Sequence, residues 1–248
     1  IADRLRMGGR WFYVGAGTSG RLGVLDAAEL TPTFGIERDR VIAIMAGGRD
    51  SVFESQELAE DDTDQAGIDL DEQGITDRDA LPAIAASGTT PYVLAAIRHA
   101  RHIGAYAVTF TCSAGTPMCE IADHSIAVHT GREILSGSTR MKAGSAQKIV
   151  LTMLSTAVMH RCGLIYKGEM VAMRPTNIKL RARAARIVQD LADVESEDAR
   201  RLLETSNWEL PIALIRARFG GSVDEARARL ERCRGSVADA LEEQGPNP

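Results

Sequence analysis

Five short apolar runs, each but the last followed by a helical pattern, constrain the fold of this chain more than any other feature. The runs occupy residues 11–14, 41–46, 83–86, 105–111 and 125–129. Their apolar character is continuous rather than alternating, which is typical of strands that are buried on both faces. The alternation predicts an α/β fold, a doubly wound parallel sheet of five strands between two layers of helices.

A glycine-rich turn, GAGTSG at residues 15–20, follows the first run and opens a helix. Its three glycines, among them Gly17, allow the backbone to turn sharply, and Thr18 and Ser19 add hydroxyl groups. The N–H groups at the start of a helix favour an anion, so the turn predicts a phosphate site. The same letters match the dinucleotide fingerprint G-x-G-x-x-G, so this pattern alone does not separate a nucleotide from a sugar phosphate.

A second hydroxyl-rich loop follows the third run and contains Ser87, Gly88, Thr89 and Thr90. The bland interpretation is a serine turn followed by a helix N-cap, and the functional one is a phosphate site. Ligands of parallel sheets bind beyond the carboxyl ends of the strands, where this loop, the glycine-rich turn and residues 46–48 are expected to converge. The second run ends in glycines and not in the acidic residue that would hold a ribose, which favours a sugar phosphate.

Two glutamates are the candidate catalytic residues. Glu29 lies on the helix that opens at the glycine-rich turn, where apolar neighbours predict partial burial and a raised pKa. Glu57 and Glu60 lie one turn apart on a predicted helix after Gly48. A solvated acidic face is the simpler interpretation for Glu57, and the pattern leaves Glu60 undecided between that face and acid/base chemistry.

Residues 132–148 place Arg140 and Lys142 between two segments rich in serine and glycine, ahead of a helix predicted over residues 143–162. A solvated basic turn with an N-cap is the simplest interpretation. The alternatives are that the segment closes the site over an anion or that it contacts another subunit.

Composition excludes several classes of function. A net charge of −5 argues against a broad nucleic-acid surface, and no apolar run approaches the ~20 residues that span a bilayer. The four cysteines form no CxxC pair and no metal-ligand spacing occurs, so we expect free thiols, a cytoplasmic location and no metal site. The sequence from Ile1 to Gly9 is typical of the end of a helix that leads into a strand, so we also expect that residues preceding Ile1 are missing.

The chain is predicted to contain two domains. Residues 1–174 form the sugar-phosphate-binding domain, and residues 175–248 form a small helical domain rich in Arg, Ala and Glu. No internal repeat is recognised, and residues 245–248 read as a disordered tail.

With these motifs identified, the chain resembles the N-acetylmuramic acid 6-phosphate etherases, which belong to the sugar isomerase (SIS) group together with the glucokinase regulatory protein. The resemblance covers nearly the whole chain. Its most specific parts are GAGTSGRLGVLDAAEL at 15–30, IMAGG at 44–48, AASGTTPY at 85–92 and ILSGSTRMKAGSAQK at 134–148.

The resemblance implies cleavage of a lactyl ether on carbon 3 of an amino sugar phosphate, by elimination and then hydration, in cell-wall murein recycling. It implies no metal or redox cofactor, and it places the catalytic glutamates of the family on Glu29 and Glu60. Which of them handles which proton stays open. The alternatives are a non-catalytic sugar-phosphate regulator and an aldose–ketose isomerase.

Helix geometry raises the question of a shared site. If the helix is unbroken from Ser19 to Glu29, about 15 Å of axis separates the two residues, which is longer than a hexose 6-phosphate. Either the helix breaks at Gly23, or Glu29 completes a site built by another subunit. Because SIS relatives pair, we expect a homodimer with the site at or near the subunit interface.

Overall fold

The computed structural model describes residues 1–242 and contains one parallel sheet of five strands, in the order β2-β1-β3-β4-β5. This confirms the predicted sheet. The predicted disordered tail, residues 245–248, lies outside the described residues. The strands are β1 Trp11–Gly15, β2 Val41–Met45, β3 Ala80–Ile84, β4 Tyr106–Thr111 and β5 His124–Ala127.

Eleven α-helices lie within the part of the chain that the structure describes. Five of them lie before or between the strands, and six follow the last strand. They are α1 Ala2–Arg6, α2 Gly17–Phe34, α3 Thr63–Glu72, α4 Pro91–Ile103, α5 Pro117–Ile121, α6 Lys142–Arg161, α7 Ile178–Ala192, α8 Ser196–Glu204, α9 Leu210–Phe219, α10 Val223–Arg232 and α11 Val237–Glu242. Among residues 1–242, no helix combines the length and the apolar character needed to cross a membrane.

Helices cover both faces of β1, which is why every residue of that strand is buried. On one face, Phe12 and Val14 pack in a core that also contains Tyr92 and Ile97 of α4. On the other face, α2 lies so close that a Cβ atom added at Gly23 would approach the Cβ atom of Tyr13 to 3.2 Å. Successive side chains of a strand point to opposite faces, so the sheet needs both layers. The predicted doubly wound architecture is confirmed.

The strand β3 begins earlier than the sequence predicted, at Ala80 rather than at residue 83. Pro82, which argues against a central strand because it has no N–H group, lies inside β3. The pairing of β3 with β1 tolerates it, because the paired positions are at Ala80, Ala83 and Ile84.

The chain divides into two compact units. The first comprises residues 1–29 and 37–156 and contains the sheet, and the second comprises residues 30–36 and those from 157 onward. The second unit has its own buried core, which includes Val171, Ile187, Leu203 and Leu214. The predicted helical character of the C-terminal region is confirmed, whereas a domain boundary after residue 174 stays a prediction.

The second unit contains an internal repeat, so the expectation of none was wrong. The hairpin α8–α9 and the hairpin α10–α11 share the same order of helix, left-handed turn and helix. The turn is at Asn207 and Trp208 in the first copy and at Arg234 and Gly235 in the second. At one constant spacing, the identical pairs are Ala199 and Ala226, Arg200 and Arg227, Leu203 and Leu230, Glu204 and Glu231, Ala213 and Ala240, and Leu214 and Leu241.

Candidate active site

Three loops meet at the carboxyl edge of the sheet, where β1, β2 and β3 end side by side. Gly15, at the end of β1, is paired with Met45 of β2 on one side and with Ile84 of β3 on the other. The order of the strands reverses at this point, since β1 lies between β2 and β3. Ligands of open α/β sheets bind at such a switch point, so these loops form the candidate active site.

The glycine-rich turn brings the end of β1 very close to the start of α2. A Cβ atom added at Gly15 would lie 2.8 Å from the Cα atom of Gly20, and one added at Gly20 would lie 2.9 Å from the carbonyl oxygen of Gly15. Such distances are too short for a side chain at either position. The two glycines are therefore required for packing between strand and helix, independently of any ligand.

Glu60 lies directly against the first residue of α2. A Cβ atom added at Gly17, whose φ is +51°, would be 2.8 Å from Oε1 of Glu60. The carboxylate is half-buried at a helix N-terminus, where the helix dipole stabilises negative charge. The structure thus brings Glu60 to the glycine-rich turn.

The backbone that carries Glu60 differs from the prediction. Gly48 is followed by two short 3-10 helices, Arg49–Val52 and Glu57–Asp61, and not by one continuous helix. Residues 53–56, a turn followed by an irregular stretch, separate the two helices.

Ser19, a predicted ligand of the phosphate, is buried and hydrogen-bonded inside the first unit. Its hydroxyl donates to Oε1 of Gln147 over 3.1 Å, and Nε2 of Gln147 donates to the Ser19 hydroxyl over 2.9 Å. Thr18 lies beside the start of α6, because a Cβ atom added at Gly144 would be 3.5 Å from the methyl group of Thr18. The sequence analysis did not single out Gln147, since an amide inside a helical segment carries no signal of its partner.

The loop at residues 87–90 is held in place by the loop that follows β4. Gly88 has a φ of +71°, and a Cβ atom there would be 2.2 Å from Oγ1 of Thr116. The N–H group of Met118 donates to the carbonyl oxygen of Gly88 over 3.2 Å. This adjacent loop contains Ser113 and Thr116 and was missed, although its letters, SAGTP, resemble those of SGTTP.

Within this loop, Ser87 and Thr89 are exposed and bonded to each other. The Ser87 hydroxyl oxygen accepts from the N–H group of Thr89 over 3.2 Å and from the Thr89 hydroxyl over 3.0 Å. The serine turn of the bland interpretation is therefore present. Thr90 occupies the N-cap of α4, but among the described residues its side chain makes no capping hydrogen bond. The start of α4 therefore offers its N–H groups to an anion.

Glu29 is exposed, so the expected partial burial was wrong. The helix α2 turns Gly23, Asp26 and Leu30 inward, and Glu29 lies on a different side. Gly23 does not break the helix, which runs from Gly17 to Phe34. Within one chain, Glu29 therefore lies about ten residues, or ~15 Å, along the axis from Ser19.

The basic segment before α6 is capped by its own carboxylate. The oxygens of Glu133 accept from the N–H groups of Lys142 and Ala143 over 3.0 and 2.9 Å, and these two bonds hold the pKa of Glu133 below its usual value. The ammonium group of Lys142 donates to the carbonyl oxygen of Arg132 over 2.8 Å. A carboxylate nine residues away, and not an N-cap residue, thus caps the start of α6, while Arg140 is exposed.

Of the predicted site residues, the structure brings Gly17, Thr18 and Glu60 together. The loop at residues 87–90 lies at the end of the adjacent strand, and Glu29 stands apart in the single chain. Among residues 1–242, the side chains of His, Cys, Asp and Glu form no group of three that could hold a metal ion.

Two family models match the chain in its sheet-containing part. One is described as the glucokinase regulatory protein N-terminal SIS domain and matches residues 2–101, and the other is described as the SIS domain and matches residues 64–157. Both matches include the loop at residues 87–90.

Two curated proteins with similar sequences share one name. An N-acetylmuramic acid 6-phosphate etherase of Halalkalibacterium halodurans is 47% identical over 239 residues, which are 96% of this chain and 80% of that protein. A protein of the same name from Rubrobacter xylanophilus is 46% identical over 243 residues, which are 98% of this chain and 80% of that protein.

Among solved structures, a putative phosphosugar isomerase from Bacteroides fragilis involved in capsule formation superposes with a TM-score of 0.51. It is 17% identical, and the match covers 68% of this chain and 78% of the other. At this identity the likeness establishes the fold alone, and it agrees with the SIS fold that the sequence predicted.

Proposed function

Because the chain belongs to the family of N-acetylmuramic acid 6-phosphate etherases, we propose that it cleaves the D-lactyl ether of N-acetylmuramic acid 6-phosphate. The products are N-acetylglucosamine 6-phosphate and D-lactate, and the enzyme is a carbon–oxygen lyase that acts in murein recycling. The observation that carries this proposal is 47% identity over 96% of the chain to a protein of that name. The position of Glu60 beside the glycine-rich turn supports it.

We assign the phosphate to the loop at residues 87–90. Its exposed hydroxyls and the N–H groups at the start of α4 suit a phosphate, and among residues 1–242 no carboxylate accepts a hydrogen bond from its hydroxyls. The start of α2 already carries the carboxylate of Glu60, which would repel a second anion. Gly17 and Thr18 would then border the sugar, and Ser19 would support the turn through Gln147.

The reaction needs a base and an acid. Once the sugar ring opens, the aldehyde makes the proton on carbon 2 acidic, and a carboxylate removes it. The bond between carbon 3 and the ether oxygen then breaks, lactate leaves with a proton from the acid, and a double bond joins carbons 2 and 3. Water adds its hydroxyl to carbon 3 and its proton to carbon 2. Glu60 and Glu29 are the two groups assigned to these transfers.

The unbroken helix α2 favours a site shared by two subunits. Glu60 lies against Gly17 at the amino end of α2, whereas Glu29 lies twelve residues, or ~18 Å, further along the same helix, so within one chain the two glutamates are too far apart to act on adjacent carbons of one sugar. A homodimer resolves this, because Glu29 of one chain would complete the site of the other. The exposure of Glu29 in the single chain is consistent with such a role.

The purified protein tests the proposal directly. Incubation with N-acetylmuramic acid 6-phosphate should release D-lactate and N-acetylglucosamine 6-phosphate in equal amounts, measured by coupled lactate oxidation. The match to the model of the glucokinase regulatory protein keeps a non-catalytic sensor as the second candidate. Tight binding of the sugar phosphate without lactate release would favour that sensor.

A further inference from the structure

A buried cluster of three polar side chains lies beneath α2 and takes no part in the proposed chemistry. The hydroxyl of Tyr13 donates to Oδ2 of Asp26 over 2.6 Å, and the hydroxyl of Ser155 shares its proton between Oδ1 of Asp26 at 3.3 Å and the carbonyl oxygen of Thr152 at 3.2 Å. Tyr13, Asp26 and Ser155 are 1%, 8% and 2% exposed. Burial, followed by the carboxylate of Asp26, raises the pKa of Tyr13 well above its ordinary value, so Tyr13 keeps the proton that it donates.

The cluster joins three elements at one point, since Tyr13 is on β1, Asp26 on α2 and Ser155 on α6. Nearer the start of the helices, Ser19 of α2 is bonded to Gln147 of α6. The two bonded positions on α2 lie about two turns apart, as do those on α6, so the helices run parallel and are tied on one face. Two ties of this kind prevent α2 from sliding or rotating on the sheet.

Holding a helix against a sheet with a buried carboxylate costs the free energy of removing that carboxylate from water. Apolar side chains of similar volume commonly pack as well or better, and removal of one polar partner leaves the other unsatisfied. Directed hydrogen bonds fix the position of the helix along and around its axis, because they form at one position only. Apolar contacts tolerate small shifts of the helix. A residue on α2 whose function depends on a fixed helix register would account for this cost.

We propose that Asp26 is a positioning residue for Glu29. Glu29 follows Asp26 by about one helical turn, which is ~4.5 Å along the axis, so any shift of α2 at Asp26 is transmitted to the Glu29 carboxylate. This inference rests on the proposed function, in which Glu29 transfers a proton. It adds that Tyr13 and Ser155, which would touch no substrate, set where that transfer takes place.

The test compares the same substitution at two buried aspartates of the first unit. Asp26→Asn keeps the shape and an acceptor for Tyr13 but removes the charge. Asp79→Asn is the matched control, because Asp79 is also buried, with 1% of its surface exposed, but precedes β3 at the amino ends of the strands, away from the candidate site. Its carboxylate accepts from the backbone N–H group of Arg10 over 2.6 Å and from the Arg10 guanidinium over 3.2 Å. Both variants should lower the melting temperature.

Only Asp26→Asn should lower kcat, by tenfold or more, while KM for the substrate stays within about twofold. Amide hydrogen exchange at residues 27–30 should also accelerate in Asp26→Asn and not in Asp79→Asn, a readout that does not depend on the reaction. An unchanged kcat in Asp26→Asn, or an equal loss in Asp79→Asn, would overturn the proposal. If Asp26→Asn does not fold, Ser155→Ala and Tyr13→Phe each remove one donor, and the same comparison applies. Absence of lactate release from the unsubstituted protein would contradict the proposed function instead.

Discussion

Replacing Gly17 by alanine should lower kcat strongly, because it displaces the carboxylate of Glu60, while it lowers the stability of the fold only slightly. The φ of Gly17 is +51°, and a Cβ atom there would be 2.8 Å from Oε1 of Glu60. The left-handed backbone costs an alanine about 1–2 kcal/mol. For a chain of this size that corresponds to a loss of ~2–8 °C in melting temperature. The new methyl group must also displace the carboxylate from the start of α2.

The displacement should affect the reaction far more than the stability. A misplacement of ~1 Å in a catalytic group can cost about 100-fold in rate, which is ~2.7 kcal/mol of activation free energy. We therefore expect kcat for lactate release to fall about 100-fold in Gly17→Ala, measured by coupled lactate oxidation under saturating substrate.

Gly74→Ala provides the control. Gly74 has a similar φ of +64°, and a Cβ atom there would meet one atom, a guanidinium nitrogen of Arg10, at 4.0 Å. Gly74→Ala should lower the melting temperature by a similar amount and leave kcat unchanged. The reasoning would be refuted if Gly17→Ala turned over at the normal rate, or if Gly74→Ala lost as much activity.

Four further outcomes follow from the proposed site. Glu29→Gln should abolish lactate release and leave binding of N-acetylglucosamine 6-phosphate, measured by calorimetry, within about tenfold, or ~1.4 kcal/mol; normal turnover would make Glu29 structural. Glu60→Gln should also slow turnover, and unchanged kinetics would return Glu60 to a solvated acidic face. Ser87→Ala and Thr90→Ala should each weaken binding of the phosphorylated sugar by ~1.5–3 kcal/mol; equal losses for the unphosphorylated sugar would contradict the assignment of the loop. Mixing Glu29→Gln chains with binding-defective Ser87→Ala chains should raise lactate release at low substrate concentration above that of either variant alone if the site is shared, and failure despite proven subunit exchange would place both residues in one chain's site.

The sheet and its ligand edge could be predicted because they depend on local signals. Apolar runs and glycines mark strand ends and turns within a few residues, and parallel sheets leave little choice about where such loops meet. The loop at residues 87–90 and the glycine-rich turn were located in this way.

Contacts between distant residues could not be predicted in the same way. Nothing in the letters around Ser19 or Gln147 indicates that their side chains meet across two helices. Glu29 was expected to be half-buried because its neighbours are apolar, but burial depends on which side of α2 faces the sheet. The repeat in the second unit was not predicted, because the corresponding positions in its two left-handed turns carry different residues, Trp208 in one copy and Gly235 in the other.

That repeat has a consequence for the order in which the chain folds. The helices of the second unit contact helices that are one or two places away in the chain, such as α7 with α9 and α9 with α10, whereas the sheet must pair Trp11 with Ala80 before β1 and β3 can join. Chains rich in local contacts fold faster than those that depend on distant pairing. We expect the helices of the second unit to form early and the parallel sheet to set the slow step. Refolding should therefore show a rapid gain of helical circular dichroism, followed by slower recovery of lactate release.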